Sequence, residues 1–288
     1  MADTLYAIME AIVTYFETIP SLHRTLLLVS GLTVFWLAEN ALPLFEHDYH
    51  KWKHAGMNFF FTFTTIVVNF AMAFILVLSS RWVVENDFGL LQWVALPLWA
   101  QALVGLLVLD LIGAYFVHYT EHRVKWMWRF HLVHHTDRHV DTTTANRHHP
   151  GESVIRFVFT TAAVILIGAP IWLVFLYQAL SVILTQFNHA NISMPEWLDR
   201  ALRTVICTPN MHRVHHHYRM PYTDSNFGNI FSFWDRIFGT YIVVDNSKLI
   251  YGVDVFMAEE ETDRIGSALK IPFMKYRAPI EYEEEERL

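Results

Sequence analysis

The chain has 288 residues, with 17 histidines against a single cysteine, and the histidines are clustered. Eight fall between His118 and His149. His118 and His122 are four apart, so on a helix they share one face. His131, His134 and His135 stand at i, i+3 and i+4, again one helical face, and His212, His215 and His216 repeat that spacing. His189 stands alone between the clusters, with Asn188 and Asn191 nearby. On a helix His217 points away from His212 and His216 and is set aside as a ligand. His148 and His149 could contribute. His149, just before Pro150, also reads as a turn residue that hydrogen-bonds an anion.

Imidazole suits zinc, copper, iron and nickel. A single zinc takes about four ligands, so the nine imidazoles from four segments are too many for one ion. Two ions with four or five nitrogens each fit the count. Redox-active iron makes better sense of so nitrogen-rich a set than structural zinc does, although zinc would bind it well in purified protein. The one cysteine, Cys207, excludes an internal disulfide framework and any Cys-rich zinc or iron–sulfur site, and it reads as a small buried apolar residue.

Metal-bound histidines usually donate their other N–H to a carboxylate or carbonyl. Asp110, Glu121, Asp137, Asp141, Glu152 and Asp235 are available. Asp110 stands out, because a carboxylate inside an apolar helix is costly and so points to function; a polar bond between helices is the plainer role. Asp235 could orient a ligand of the last cluster or cap a helix. Arg123 and Arg213 could pair with these acids or with lipid phosphate. Trp126, Trp128, Phe130 and Trp234 read as interface anchors. No catalytic group beyond the metal ligands is singled out.

These residues need elements to hold them, and the composition says which. Apolar residues make up 53% and charged residues 17%, against about 25% charged in ordinary soluble domains. Mean hydropathy is positive. The net charge of −7 gives no reason to expect a nucleic-acid partner. The expected fold is all-α: a polytopic membrane bundle of about four spans with a histidine-rich cytoplasmic cap holding a dinuclear site. Leu22–Leu37 is apolar but starts beside His23 and Arg24. Asn58–Ser80 is a clean span. Gly89–His118 allows a short interfacial piece, a break near Pro97 and a span from Leu98. Val154–Phe187 is broken at Gly168-Ala169-Pro170 and reads as a tight helical pair that dips into the membrane or crosses it. Residues 1–244 are expected to form the membrane domain and its cap, and 245–288 a polar tail ending in the solvated EYEEEERL. The N-terminus lacks the basic stretch and cleavage site of a signal peptide. It reads as an interfacial amphipathic helix, with Leu5, Ile8, Met9, Ile12 and Phe16 on one side, or as a soluble one.

Basic residues set the orientation. Lys51, Lys53, Arg123, Lys125, Arg129, Arg138, Arg147, Arg156, Arg200, Arg203, Arg213 and Arg219 all flank one end of the spans. The opposite loop, 81–92, has Arg81 with Glu85 and Asp87. The basic end carries the histidines and should be cytoplasmic, in a bacterial inner membrane or the endoplasmic reticulum.

The motifs together resemble the fatty acid hydroxylase/sterol desaturase superfamily of membrane non-haem di-iron enzymes, and among them bacterial sterol-desaturase-like proteins and alkylglycerol monooxygenases. The residues that carry the likeness are Asp110, Tyr115, His118, His122, Trp128-Arg-Phe-His131, His134-His135 and His149-Pro150. They continue with His189, Thr208-Pro-Asn-Met-His212-Arg-Val-His215-His216, Asn226-Phe-Gly228 and Trp234-Asp235-Arg-Ile-Phe-Gly-Thr240, followed by Tyr251-Gly252. The resemblance implies two iron ions on the nine histidines and O2-dependent hydroxylation or desaturation of a lipid. Electrons would come from a separate ferredoxin or small haem cytochrome, because the chain has no haem, flavin or Fe–S motif. Some members carry a second histidine near His189. Here one metal is expected to hold a water in its place, with Asn188 beside it. A histidine-rich zinc-binding membrane protein without oxidase activity, or a metal transporter, is the alternative; a transporter would place ligands near the bilayer midplane, with repeat symmetry.

Overall fold

The computed structural model describes residues 2–46, 49–256 and 258–278; the acidic end EYEEEERL lies outside the described residues. Among these residues the chain is helical, with isolated bridges but no strand. Helix α1 (Ala2–Glu17) precedes α2 (Ser21–Ala41) and the long α3 (Lys51–Glu85). A short α4 (Leu90–Trp93) leads to α5 (Leu98–Asp110), which continues through a π-helical turn, Leu111–Phe116, into α6 (Val117–Arg123). Then come α7 (Lys125–His135), α8 (Pro150–Ile167) and α9 (Ile171–His189). The cap adds α10 (Glu196–Leu202), α11 (Pro209–His215) and α12 (Phe233–Ile237).

Five helical stretches are long and apolar enough to cross a membrane: Ser21–Ala41, Lys51–Trp93, Leu98–Arg123, Pro150–Ile167 and Ile171–His189. The sequence suggested about four, taking the last two as one unit. Their outer faces leave apolar side chains uncovered, among them Leu26, Val34 and Leu37 on α2 and Phe63, Phe70 and Phe74 on α3. The inner faces of α5, α8 and α9 pack Leu109, Phe157, Val164, Trp172 and Leu173 into one apolar cluster. Met9, Ile12, Val13 and Phe16 of α1 join that cluster, so the N-terminal helix lies against the bundle.

The α8–α9 pair turns at Gly168, whose φ of +74° suits a residue without Cβ. The turn meets the far end of α3: Ser80 Oγ donates to Ala169 O at 2.8 Å and Gln92 Nε2 to Gly168 O at 2.8 Å. A Cβ on Gly168 would lie 2.5 Å from Phe88 O. The turn of the pair therefore lies level with the far end of α3.

The other ends of these helices carry the cap. Beyond 245, the chain packs on α3 and α7: Val253, Phe256, Ala268 and Ile271 join Met57, Phe61, Leu132 and Val133 in an apolar cluster. Arg147, fully buried, ties the layers together by donating to Val133 O, Asn58 Oδ1, Thr136 Oγ1 and Thr262 O. Cys207 is buried, as a small apolar residue would be.

Candidate metal centre

The nine histidines converge at one end of the bundle. His118 and His122 lie on α6, just after the π-helical turn and in the last turns of the membrane-length stretch Leu98–Arg123. His131, His134 and His135 occupy the last turns of α7, and His189 is the last residue of α9. His212 and His215 lie on α11 with His216 at its C-cap; Pro209 opens that helix in the position where a missing N–H costs nothing.

The rings sort into two groups. His118, His122, His131, His135 and His215 form one; His134, His189, His212 and His216 form the other, with donor atoms in each within 4.8 Å of one another. Both HxxHH boxes are divided. The first sends His131 and His135, one helical turn apart, to the five-histidine group and His134 to the four-histidine group. The second does the reverse, sending His215 to the first group and His212 and His216 to the second. The equal spacing of the boxes suggested three ligands on one face; the groups sit side by side, so residues one apart reach different centres. The His135 and His216 ring centroids are only 4.9 Å apart across the boundary.

Hydrogen bonds behind the rings fix which nitrogen faces inward. Nδ1 of His118 donates to Phe227 O at 3.0 Å, and Nδ1 of His215 to Ser225 O at 2.7 Å. Nδ1 of His131 is 2.7 Å from Glu152 Oε1, and Nδ1 of His122 is 3.1 Å from Asp224 Oδ1. In the other group His189 Nδ1 lies 2.8 Å from Thr185 O and 2.6 Å from Asn188 Oδ1. With the proton on Nδ1, each of these rings presents a bare lone pair at Nε2.

That arrangement is poor for a protein alone and good for a cation. The Nε2 atoms of His118 and His131 are 3.1 Å apart, both as lone pairs. Nε2 of His135 is 3.0 Å from the same His131 atom, and Nε2 of His189 is 3.1 Å and 3.2 Å from those of His134 and His212. Nitrogens bound about 2.0–2.1 Å from one ion would be roughly 3.0–3.4 Å apart, depending on the angle between them. Nε2 of His122 and His215, and both nitrogens of His216, are buried without any protein partner. Burial, followed by the proximity of neighbouring imidazoles, holds His131, His134, His135 and His216 well below the usual histidine range. The rings are therefore neutral, the form that binds metal. The donor set fits two transition-metal ions.

The supporting carboxylates differ from those singled out in the sequence. Asp110 touches no histidine. It accepts from Ile230 N and Phe231 N at 3.1 Å each and from Trp234 Nε1 at 3.0 Å, so it fastens the 226–240 loop to α5. Asp235 accepts from Phe227 N at 2.7 Å, Gly228 N at 2.9 Å and Thr240 Oγ1 at 2.7 Å. Both acids thereby shape the turn whose Phe227 carbonyl orients His118. Tyr115 reaches the same loop through Thr240 Oγ1 at 2.8 Å. Asn188 braces His189 directly.

His149 is in neither group. Its Nδ1 caps α8 by accepting from Gly151 N at 3.0 Å, and its Nε2 approaches Leu269 O at 3.3 Å. His217 is also in neither group and accepts from Arg219 N at 3.1 Å. Asp224 was missed in the sequence; its only local signal is an acid nine residues after His215, in a turn with Thr223 and Ser225. Glu121 and Glu152 are bridged by Arg156, at 2.6 Å and 3.0 Å.

A known family matches the part of the chain that holds this centre. Residues 102–240 match the model of the fatty acid hydroxylase family. That segment, a little under half of the chain, is similar to the fatty acid hydroxylase family. It includes all nine histidines, Asp110, the α8–α9 pair and the loop through Thr240. Ornithine lipid hydroxylase OlsE of Rhizobium tropici is 26% identical over 176 residues, covering 61% of this chain and 51% of that protein. The alkylglycerol monooxygenase of Danio rerio is 29% identical over 186 residues, covering 61% of this chain and 38% of the relative. That of Xenopus tropicalis is 33% identical over 147 residues, covering 49% and 30%. The matches thus span about half or less of these relatives' own length. No solved structure matches the chain.

Proposed function

We propose that this fatty acid hydroxylase segment forms a membrane oxygenase that inserts oxygen into a C–H bond of a lipid, using O2 and electrons from a separate redox protein. The observation that carries the proposal is the pair of adjoining all-imidazole groups at one end of the bundle. His118, His122, His131, His135 and His215 would hold one ion, and His134, His189, His212 and His216 the other. Iron is the metal that gives such a pair oxidising chemistry, and its contribution when bound is activation of O2 against an unactivated C–H bond. The protein's part is to set every donor in place beforehand. Four rings of the first group and His189 of the second are locked through Nδ1, so their lone pairs are aimed before metal arrives.

The bundle supports a lipid substrate. Uncovered apolar faces on α2 and α3 suit a bilayer, and α6 carries His118 and His122 directly out of a membrane-length helix. A tail lying in the bilayer beside the bundle would reach the centre from within the leaflet. Both named kinds of relative are lipid oxygenases, which favours hydroxylation over desaturation. The basic residues at this end favour a cytoplasmic face and an acidic electron donor. A transporter is disfavoured by where the ligands sit, at the ends of α6, α7 and α9 rather than along their middles.

Lipid mass spectrometry of membranes with and without the protein, under O2, tests the proposal. One lipid class should gain a single oxygen. Loss of two hydrogens would redirect the reaction to desaturation, and an iron-loaded protein that changes no lipid would overturn it.

A further inference from the structure

His148 belongs to neither group of the centre, yet it is prepared as a ligand is. Its Nδ1 lies 2.7 Å from Glu152 Oε1, the same oxygen that holds Nδ1 of His131 at 2.7 Å. A carboxylate oxygen accepts, so both rings carry their proton on Nδ1 and leave Nε2 bare. His131 turns that lone pair toward the five-histidine group. The ring of His148 lies against His134, a member of the other group, with centroids 4.8 Å apart and planes 18° apart. The His148 side chain is 13% exposed, whereas Glu152 is fully buried, so this ring stands at the rim of the centre. The adjoining group has four nitrogens where its neighbour has five.

Resting on the two-metal reading above, we infer that His148 is the tenth imidazole of the centre: its Nε2 binds the ion of the four-histidine group as an exchangeable fifth ligand. Glu152 then braces both groups at once, through His131 on one side and His148 on the other. Nothing in the spacing of HxxxH or HxxHH marks His148, because it is recruited from the loop before α8. A partly exposed ligand differs in kind from the sealed ones. It can leave and return without unfolding the cap, and it alone can be replaced from solution.

The test uses the full chain, purified in detergent and loaded with Co(II), together with zinc competition. Two variants are compared with the wild type. His148→Phe keeps a ring against His134 but removes both nitrogens; His148→Gly opens a space that added imidazole can fill. The wild type should bind two ions. In His148→Phe one of the two should bind about 10- to 100-fold more weakly, and the Co(II) absorption should move toward the more intense four-coordinate type. Imidazole should restore the wild-type spectrum in His148→Gly, which decides alone if the phenylalanine variant does not fold. Unchanged spectra and affinities within twofold would overturn the inference. So would weaker binding with an unchanged spectrum, since His148 would then act only through Glu152. A wild type that binds fewer than two ions would instead overturn the two-metal reading.

Discussion

The five-histidine group is held from behind almost everywhere: His118 by a carbonyl, His122 by Asp224, His131 by Glu152 and His215 by a second carbonyl. In the four-histidine group, His189 is braced by Thr185 O and Asn188, but Nδ1 of His134 and both nitrogens of His216 have no protein partner. Ligands already oriented lose less freedom when metal binds, so the first group should hold its ion more tightly. The second keeps more freedom and fewer sealed donors, which suits a site that must also admit something from outside. On the proposed two-metal reading, the two groups that share the HxxHH boxes would divide the work, one fixed and one adaptable.

The largest expected effect comes from removing ligands. His134→Ala and His135→Ala should each abolish lipid oxidation while leaving membrane insertion intact. Each should also weaken one ion by more than the roughly 100-fold that loss of an outer partner costs. Retained activity in either variant would break the assignment of that ring as a ligand. Next come the braces. Asp224→Asn should weaken metal at the five-histidine group about 10- to 100-fold and leave the other unchanged, as read by a two-step zinc titration. Equal weakening of both ions would erase the contrast between them.

That contrast was only partly legible in the sequence. The gathering of the nine histidines was, because HxxxH and HxxHH at helical spacing put imidazoles on one face of a helix. The long apolar helices and the turn at 168–170 were too, because long apolar runs and a Gly-Ala-Pro break mark them, although the sequence suggested about four spans and five helices are long enough. The division of each box between two ions was not, since it depends on how α7 and α11 face each other. Asp110 shows the same limit. A buried acid in an apolar helix promised a role near the metals, but it serves the backbone of a loop some 120 residues away. Glu152 was one of six acids available to back the rings, with nothing to mark it out, and Asp224 looks in sequence like an ordinary acid in a turn.

Asp110→Ala therefore ranks third. It leaves Ile230 N, Phe231 N and Trp234 Nε1 without their buried acceptor, at a cost of about 3 kcal/mol or more. Thermal unfolding should shift down, and because the Phe227 turn is loosened, metal loss should appear first at the five-histidine group. Loss confined to the four-histidine group would contradict the path through that turn. Smaller still, Asn188→Ala should weaken only the four-histidine group, by about tenfold at most, because Thr185 O still holds His189. During gradual chelation of the wild type, the ion of the four-histidine group should leave first.

The central claim, that adjacent histidines serve different ions, is tested most directly with His215 and His216. Metal content per chain would be measured by elemental mass spectrometry for the wild type, His215→Ala, His216→Ala and the double variant, all loaded and washed alike. The structure predicts two ions in the wild type, one in each single variant and none in the double variant. One ion remaining in the double variant, as in both single variants, would place the two histidines at the same metal and contradict the division of the boxes.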